Sequence, residues 1–307
     1  MSANPQAQKM VSSYESILVP VPNGDQLHVA YLPSERDLAT VLLMPGIANN
    51  CDVFREQDYG LAEFLLQAGY SVFMADLRGK GRSWPKVNKY SGYGLNQMIQ
   101  EDIPAVLKLI EKKMGVPPQY YVCQGAGGLI MSGFLSRNPD YVKQTKGLIY
   151  FGSRRTVVLR HWMQRMKWEG AWQMMGQFAL SLFGYLPGKL LGLGNDNESQ
   201  GIYNEYMAWC NDVEWVDCGD QFNYSEAMEE KKNWPASLYF ASHADRVAHP
   251  KDVSSFMKSL GRHDGRLVTL GKKQGNLRNY SHSSMIQHRD ATLDHFPLMI
   301  EWMAQQS

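Results

Sequence analysis

Three short segments hold side chains from which nucleophilic or general-base chemistry can be built. Cys123-Gln124-Gly125-Ala126-Gly127-Gly128 offers a thiol among glycines. Ser242-His243-Ala244-Asp245-Arg246-Val247 offers a carboxylate, and Tyr280-Ser281-His282-Ser283-Ser284-Met285 an imidazole flanked by hydroxyls. A thiol or hydroxyl becomes a competent nucleophile beside a base, and an imidazole is the side chain that titrates near neutrality. The segments are far apart in sequence, so a fold must gather them.

The elements that would do so can be read from hydrophobic patterning. Ile17–Val21 and Leu27–Leu32 flank an Asn23-Gly24 turn and predict an antiparallel hairpin. Ala39–Met44, Ser71–Ala75, Gln119–Cys123 and Leu148–Phe151 are continuous apolar runs, as in strands buried on both faces. Helical spacing covers Leu61–Ala68, Leu95–Met114 (despite Pro104) and Gly127–Leu135. After Trp234-Pro235 the alternation resumes with strand Leu238–Ala241, helix Asp252–Leu260, strand Arg266–Leu270 and one final helix, Ala291–Ala304. Strands alternating with helices predict βαβ units and a mostly parallel sheet, in which ligands sit at the strands' C-terminal ends. Each of the three segments falls at such an end.

That order resembles the α/β-hydrolase fold: a strand-to-helix elbow, then an acid, then a histidine. Met44-Pro45-Gly46-Ile47 resembles the oxyanion loop, and Asp76-Leu77-Arg78-Gly79-Lys80-Gly81-Arg82-Ser83 the D-x-R-G-x-G-x-S segment. Phe183–Lys189 and Leu191–Gly194 are similar to segments of bacterial hydrolases related to serine aminopeptidases and monoacylglycerol lipases. The resemblance spans nearly the whole chain. It implies an ester or amide hydrolase lineage, with His282 oriented by Asp245 and backbone N–H groups of Ile47 and Ala126 facing an oxyanion.

One departure dominates. Aligning Gly127 with the last glycine of G-x-S-x-G puts Gly125 at the nucleophile position and Cys123 at the first glycine. Glycine cannot attack a carbonyl, so the acyl-enzyme route is closed unless another residue supplies the nucleophile. Cys123 is the best chemical substitute, although the end of a central strand favours packing. Without it, an Asp245–His282 pair could still serve as general base on water or on an acidic substrate proton. The alternative is a ligand-binding pseudoenzyme. Ser283 and Ser284 read as loop or capping residues, Gln124 as a surface or packing residue that could contact a ligand beside the elbow, His243 and His249 as loop residues, and His288 and His295 as solvent-exposed.

From 154 to 233 no strand is evident, and Trp162, Trp168, Trp172, Trp209 and Trp215 accompany Met163, Met166, Met174 and Met175. This stretch is expected to form a helical cap, whose aromatics glue it to the core, pair two caps in a homodimer, or wall an apolar ligand site. Arg154 and Arg155 could reach an anionic group or face solvent. The core is then 15–153 with 234–307, after a mobile tail over 1–14. In the 307 residues, 31 Lys+Arg balance 30 Asp+Glu, which removes the electrostatic case for nucleic acid. The first residues have no signal-like apolar run, and no stretch approaches the roughly 20 apolar residues of a membrane span. The four cysteines are scattered, so a reducing cytoplasm is expected, with no metal and no cofactor. The expected ligand is small and apolar or acyl-like.

Overall fold

The computed structural model describes residues 14–56, 59–157, 174–230 and 234–306. Its centre is an eight-stranded sheet. The strands are β1 (Glu15–Pro20), β2 (Gln26–Leu32), β3 (Thr40–Met44), β4 (Ser71–Asp76), β5 (Tyr120–Gln124) and β6 (Gly147–Phe151). After a two-residue pair, β7 (Tyr185–Leu186) and β8 (Glu198–Ser199), come β9 (Ser237–Ser242) and β10 (Gly265–Leu270). The order across the sheet is β1-β2-β4-β3-β5-β6-β9-β10, with β1 and β2 antiparallel to their neighbours and all later pairs parallel. This is the expected α/β-hydrolase arrangement.

The continuous apolar runs have a direct cause. Along β5, Tyr121 and Cys123 enter one core layer while Tyr120 and Val122 enter the other; β6 divides Leu148 and Tyr150 from Ile149 and Phe151 in the same way. Alternate side chains thus fill opposite faces, each covered by helices. Helix Ile103–Met114 and helix Ala126–Arg137 pack on one face; helix Leu61–Ala68 and helix Phe296–Gln305 pack on the other.

Three expectations need correction. The stretch between β6 and β9 contains the β7–β8 pair, paired antiparallel through Tyr185 with Ser199 and Leu186 with Glu198. Strands of two residues are too short for a period to show. The final helix is two pieces, Ala291–Asp294 and Phe296–Gln305, because Pro297 in the first turn of the second has no N–H to continue a helix from the first. The break lets His295 turn inward, so this residue is buried and not solvent-exposed. The long helix before β5 does continue past Pro104, through a π-turn over Met98–Asp102.

Among the described residues, the β6–β9 segment also holds helices over 174–183, Gln200–Asn211 and Tyr224–Glu230. Trp209, Trp215 and Tyr224 meet with ring centroids 5.1–5.6 Å apart and are wholly buried against the core. Arg137, ending the helix after β5, donates to Asp217, Asp220 and the Tyr224 hydroxyl at 2.8–3.2 Å. Trp209 and Trp215 therefore glue this segment down, whereas Met174 and Met175 are exposed. Trp162, Trp168, Trp172, Met163 and Met166 lie outside the described residues, as does the tail expected over 1–14 except Tyr14. No described helix is long and apolar enough to cross a membrane.

Candidate active site

β5 ends in a sharp turn. Gly125 has φ 54° and ψ −124°, a conformation that ordinary side chains resist and glycine accepts. Its N–H bonds Phe151 O at 2.9 Å, and helix Ala126–Arg137 starts at the next residue. Gly127 has to be glycine, since a Cβ there would lie 2.6 Å from the carbonyl oxygens of Met44 and Pro45. The helix therefore starts hard against the end of β3.

Across the sheet edge, Asp245 follows β9 by three residues. Its side chain is wholly buried; Oδ1 accepts the N–H groups of Val247 and Ala248 at 2.7 and 3.0 Å, while Oδ2 faces His282 Nδ1 at 2.8 Å. An ionised carboxylate can only accept, so Nδ1–H donates to it, and in the neutral ring this tautomer leaves the lone pair on Nε2. The loop bearing His282 is anchored on both sides. Tyr280 is buried and donates its hydroxyl to Asp294 at 2.5 Å, and Ser284 Oγ accepts Ser281 N–H at 2.7 Å. Ser284 thus acts as the expected loop-closing residue.

Gly125 and His282 meet. An ideal Cβ on Gly125 would lie 2.9 Å from His282 Nε2 and 3.4 Å from Cε1. The imidazole stands closer to the turn than a carbon side chain comfortably permits. Gly152, at φ 61°, lines the ring's other side: its Cβ would be 2.9 Å from Nδ1 and Cε1 and 3.1 Å from Asp245 Oδ2. Nothing in the sequence patterning pointed to Gly152.

The loop after β3 closes the site. Ile47 is half-buried, and among the described residues neither its N–H nor that of Ala126 has an acceptor. The two lie on adjoining segments, since a Cβ on Gly46 would be 3.6 Å from Ala126 N. Gln124 is buried, and its Oε1 accepts Gly46 N–H at 3.0 Å and Asn49 Nδ2 at 3.4 Å. It ties the elbow to that loop. This explains a polar side chain at the end of an otherwise apolar strand.

Cys123 is withdrawn as a nucleophile. It is fully buried in the layer under the helices, and burial pushes its thiol well above the usual range, so no thiolate faces the imidazole. The remaining candidates are occupied elsewhere. Arg154 Nε donates to Val247 O, and Arg155 donates to the carbonyls of Trp209, Asp212 and Val213, so neither needs an anionic ligand. His249 caps helix Pro250–Ser259 through Nδ1, which accepts Lys251 N–H at 3.3 Å; its Nε2 lies 3.3 Å from His243 Nδ1.

A second histidine–aspartate pair lies below the sheet edge. His28 Nδ1 is 2.9 Å from Asp76, with Cys51 beside them, a group of metal-type donors that is wholly buried. Burial alone would raise the Asp76 carboxyl. Hydrogen bonds from His28 and from the N–H groups of Cys51 and Arg82 outweigh burial and hold it below the ordinary value. With both oxygens taken by donors, this cluster braces the D-x-R-G-x-G-x-S segment. Gly81 is glycine there because a Cβ would collide with the Asp76 carboxylate.

The chain is similar to several known proteins. Human lipase member K is 26% identical over 191 residues, covering 54% of this chain and 47% of the lipase. The tear acid lipase-like protein of Mesocricetus auratus is 32% identical over 94 residues, 28% of this chain and 23% of that one. The chain thus spans about half the length, or less, of the curated relatives it matches. Among solved structures, an esterase from Exiguobacterium antarcticum superposes with TM-score 0.62 at 14% identity, over 94% of this chain and 100% of that one. Mouse alpha/beta hydrolase domain-containing protein 10 superposes with TM-score 0.60 at 13% identity, over 95% and 100%. At such identities the structural likeness speaks for the fold. Residues 35–272 match the family model described as serine aminopeptidase, S33. The chain belongs to that serine aminopeptidase S33 family of α/β hydrolases.

Proposed function

We propose that this protein hydrolyses a small apolar ester or amide by general-base catalysis, without an acyl-enzyme at residue 125. Water hydrogen-bonded to His282 Nε2 gives up a proton to that nitrogen as its oxygen bonds to the substrate carbonyl carbon. The developing oxyanion accepts the N–H groups of Ile47 and Ala126, and the imidazolium is stabilised by Asp245. Collapse breaks the bond to the leaving group, which takes the proton back from Nε2. Atoms and charge balance with water as the only co-reactant. The observation that carries this reading is the Asp245–His282 contact of 2.8 Å beside a residue with no side chain. The β6–β9 segment, acting as a cap, would supply apolar walls for the substrate.

The test uses short p-nitrophenyl esters. His282→Ala is expected to lower kcat/KM by about 10²–10⁴-fold, the usual yield of a positioned base. Asp245→Asn should lower it too, by losing the tautomer. No pre-steady-state burst is expected. An unchanged rate in His282→Ala would end the proposal. A second reading, ligand binding without turnover, is favoured by one observation: the imidazole crowds the Gly125 turn to within 2.9 Å of the would-be Cβ. That reading predicts no hydrolysis and a ligand affinity indifferent to His282→Ala.

A further inference from the structure

Where the chain passes through Gly194–Ser199 on its way back to the core, it grips the loop after β3. Glu198 is wholly buried; its Oε1 accepts Ala48 N–H at 2.5 Å and pairs with Lys80 Nζ, itself buried. Two residues earlier, Asp196 N–H donates to Ala48 O at 2.8 Å, and the Asp196 carboxylate accepts Asn50 Nδ2 and Gly81 N–H, both at 2.6 Å. Both polar groups of Ala48 are thus clamped by one short segment lying about 150 residues away. A Cβ on Gly188 or Gly194 would collide with Asp196, Ala48 or Asn49, so the fit needs glycine at both positions.

The clamp has a conformational purpose. Asn49 N–H bonds Gly46 O at 3.2 Å, closing a turn with Ile47 and Ala48 at its centre. Ala48 has φ 58°, the left-handed region where a third turn residue is ordinarily glycine. Something outside the turn must hold an alanine there. Gln124 fixes the Gly46 side of the turn but leaves Ala48 untouched.

We infer that Glu198 is a positioning residue: its carboxylate, neutralised by Lys80, holds Ala48 left-handed and thereby aims the Ile47 N–H into the site. The role of that N–H rests on the proposed hydrolytic reading; the hold on the loop does not. Neutralisation by Lys80 matters because a buried carboxylate without a cation would be expelled or protonated.

The experiment compares Glu198→Ala, Glu198→Gln and the double variant Glu198→Ala/Ala48→Gly with the parent. Amide hydrogen exchange is read over residues 44–54, with β5 and β6 as internal reference, and p-nitrophenyl butyrate hydrolysis is read alongside. Glu198→Ala should speed exchange at 46–50 at least tenfold while the reference strands hold, and lower kcat at least tenfold with KM within twofold. Glu198→Gln keeps an oxygen acceptor for Ala48 but leaves buried Lys80 without its counter-ion, so it should recover only part of both. Ala48→Gly should restore part of the kcat lost by Glu198→Ala, since glycine takes the left-handed state unaided. Exchange at 46–50 that is unchanged, or that rises equally in β5 and β6, overturns the inference, as does a double variant no better than Glu198→Ala. If the parent shows no turnover, the proposed reaction falls and exchange alone still decides the hold on the loop.

Discussion

At the scale of single residues, Gly125 decides what chemistry is available, and its neighbours decide whether a lost hydroxyl can be put back. Any side chain at φ 54° and ψ −124° carries backbone strain of about 1–3 kcal/mol. It must also displace an imidazole now 2.9 Å from the Cβ position, against a ring held by Asp245 and backed by Gly152. Gly125→Ser is therefore expected to fold with its unfolding free energy lowered by about that amount. If the ring retreats by a few tenths of an ångström, the variant gains fluorophosphonate labelling that the parent lacks. A folded but unlabelled Gly125→Ser protein would show that the ring cannot yield. Gly152→Ala attacks the same ring from behind, and should abolish any turnover without touching residue 125. Gly125, Asp245 and His282 were legible in the sequence because each sits in a short local pattern in a known order. Gln124, Gly152 and Glu198 were not, because what defines them is a partner distant along the chain: Glu198 meets Ala48 across 150 positions.

At the scale of elements, strands were legible wherever both faces are buried, because such strands become apolar runs; β3, β4, β5, β6 and β9 are buried along their whole length. The failures have different causes: Pro297 splits the final helix locally, whereas the two-residue strands β7 and β8 are too short to show a period. The β7–β8 pair owes its position to Glu198 and Ser199 packing inward, and Ser199 also caps the helix that follows, accepting Ile202 N–H at 3.2 Å. The other end of helix Gln200–Asn211 is closed from outside. Arg155 spreads its guanidinium over the carbonyls of Trp209, Asp212 and Val213 at 2.8–3.1 Å, satisfying groups a helix end leaves orphaned. Arg155→Ala should lower stability by about 1–2 kcal/mol, read by urea unfolding, and should loosen exchange in the last turn of that helix first. Equal protection in both proteins would mean water replaces the cap without cost.

At the scale of the whole molecule, buried titratable groups tie stability to pH, and His295 is the one lodged beneath the site. Its Nε2 donates to Met285 O at 2.7 Å, three residues past His282, and Phe151, Phe240, Tyr280 and Phe296 surround the ring. Burial pushes it down from an ordinary 6.5 to about 4. As pH falls from 6.5 toward 4, the unfolded chain binds a proton that the folded chain refuses, so stability is full above that window and drains away through it. At pH 5 the loss from this one residue is about 2 kcal/mol. Asp76 acts in the same direction but lower down: its depressed carboxyl adds stability that is present above the usual carboxylate range and lost as pH falls through its folded value. The two windows are therefore separable. His295→Gln keeps an N–H donor for Met285 O and removes the titration, so between pH 7 and pH 5 it should lose about 2 kcal/mol less than the parent in urea unfolding. Equal losses would assign the acid sensitivity elsewhere. In the parent, exchange should rise first around residues 280–287, because the proton enters beneath the loop that carries His282, and mild acid would then disarm the imidazole before it unfolds the sheet.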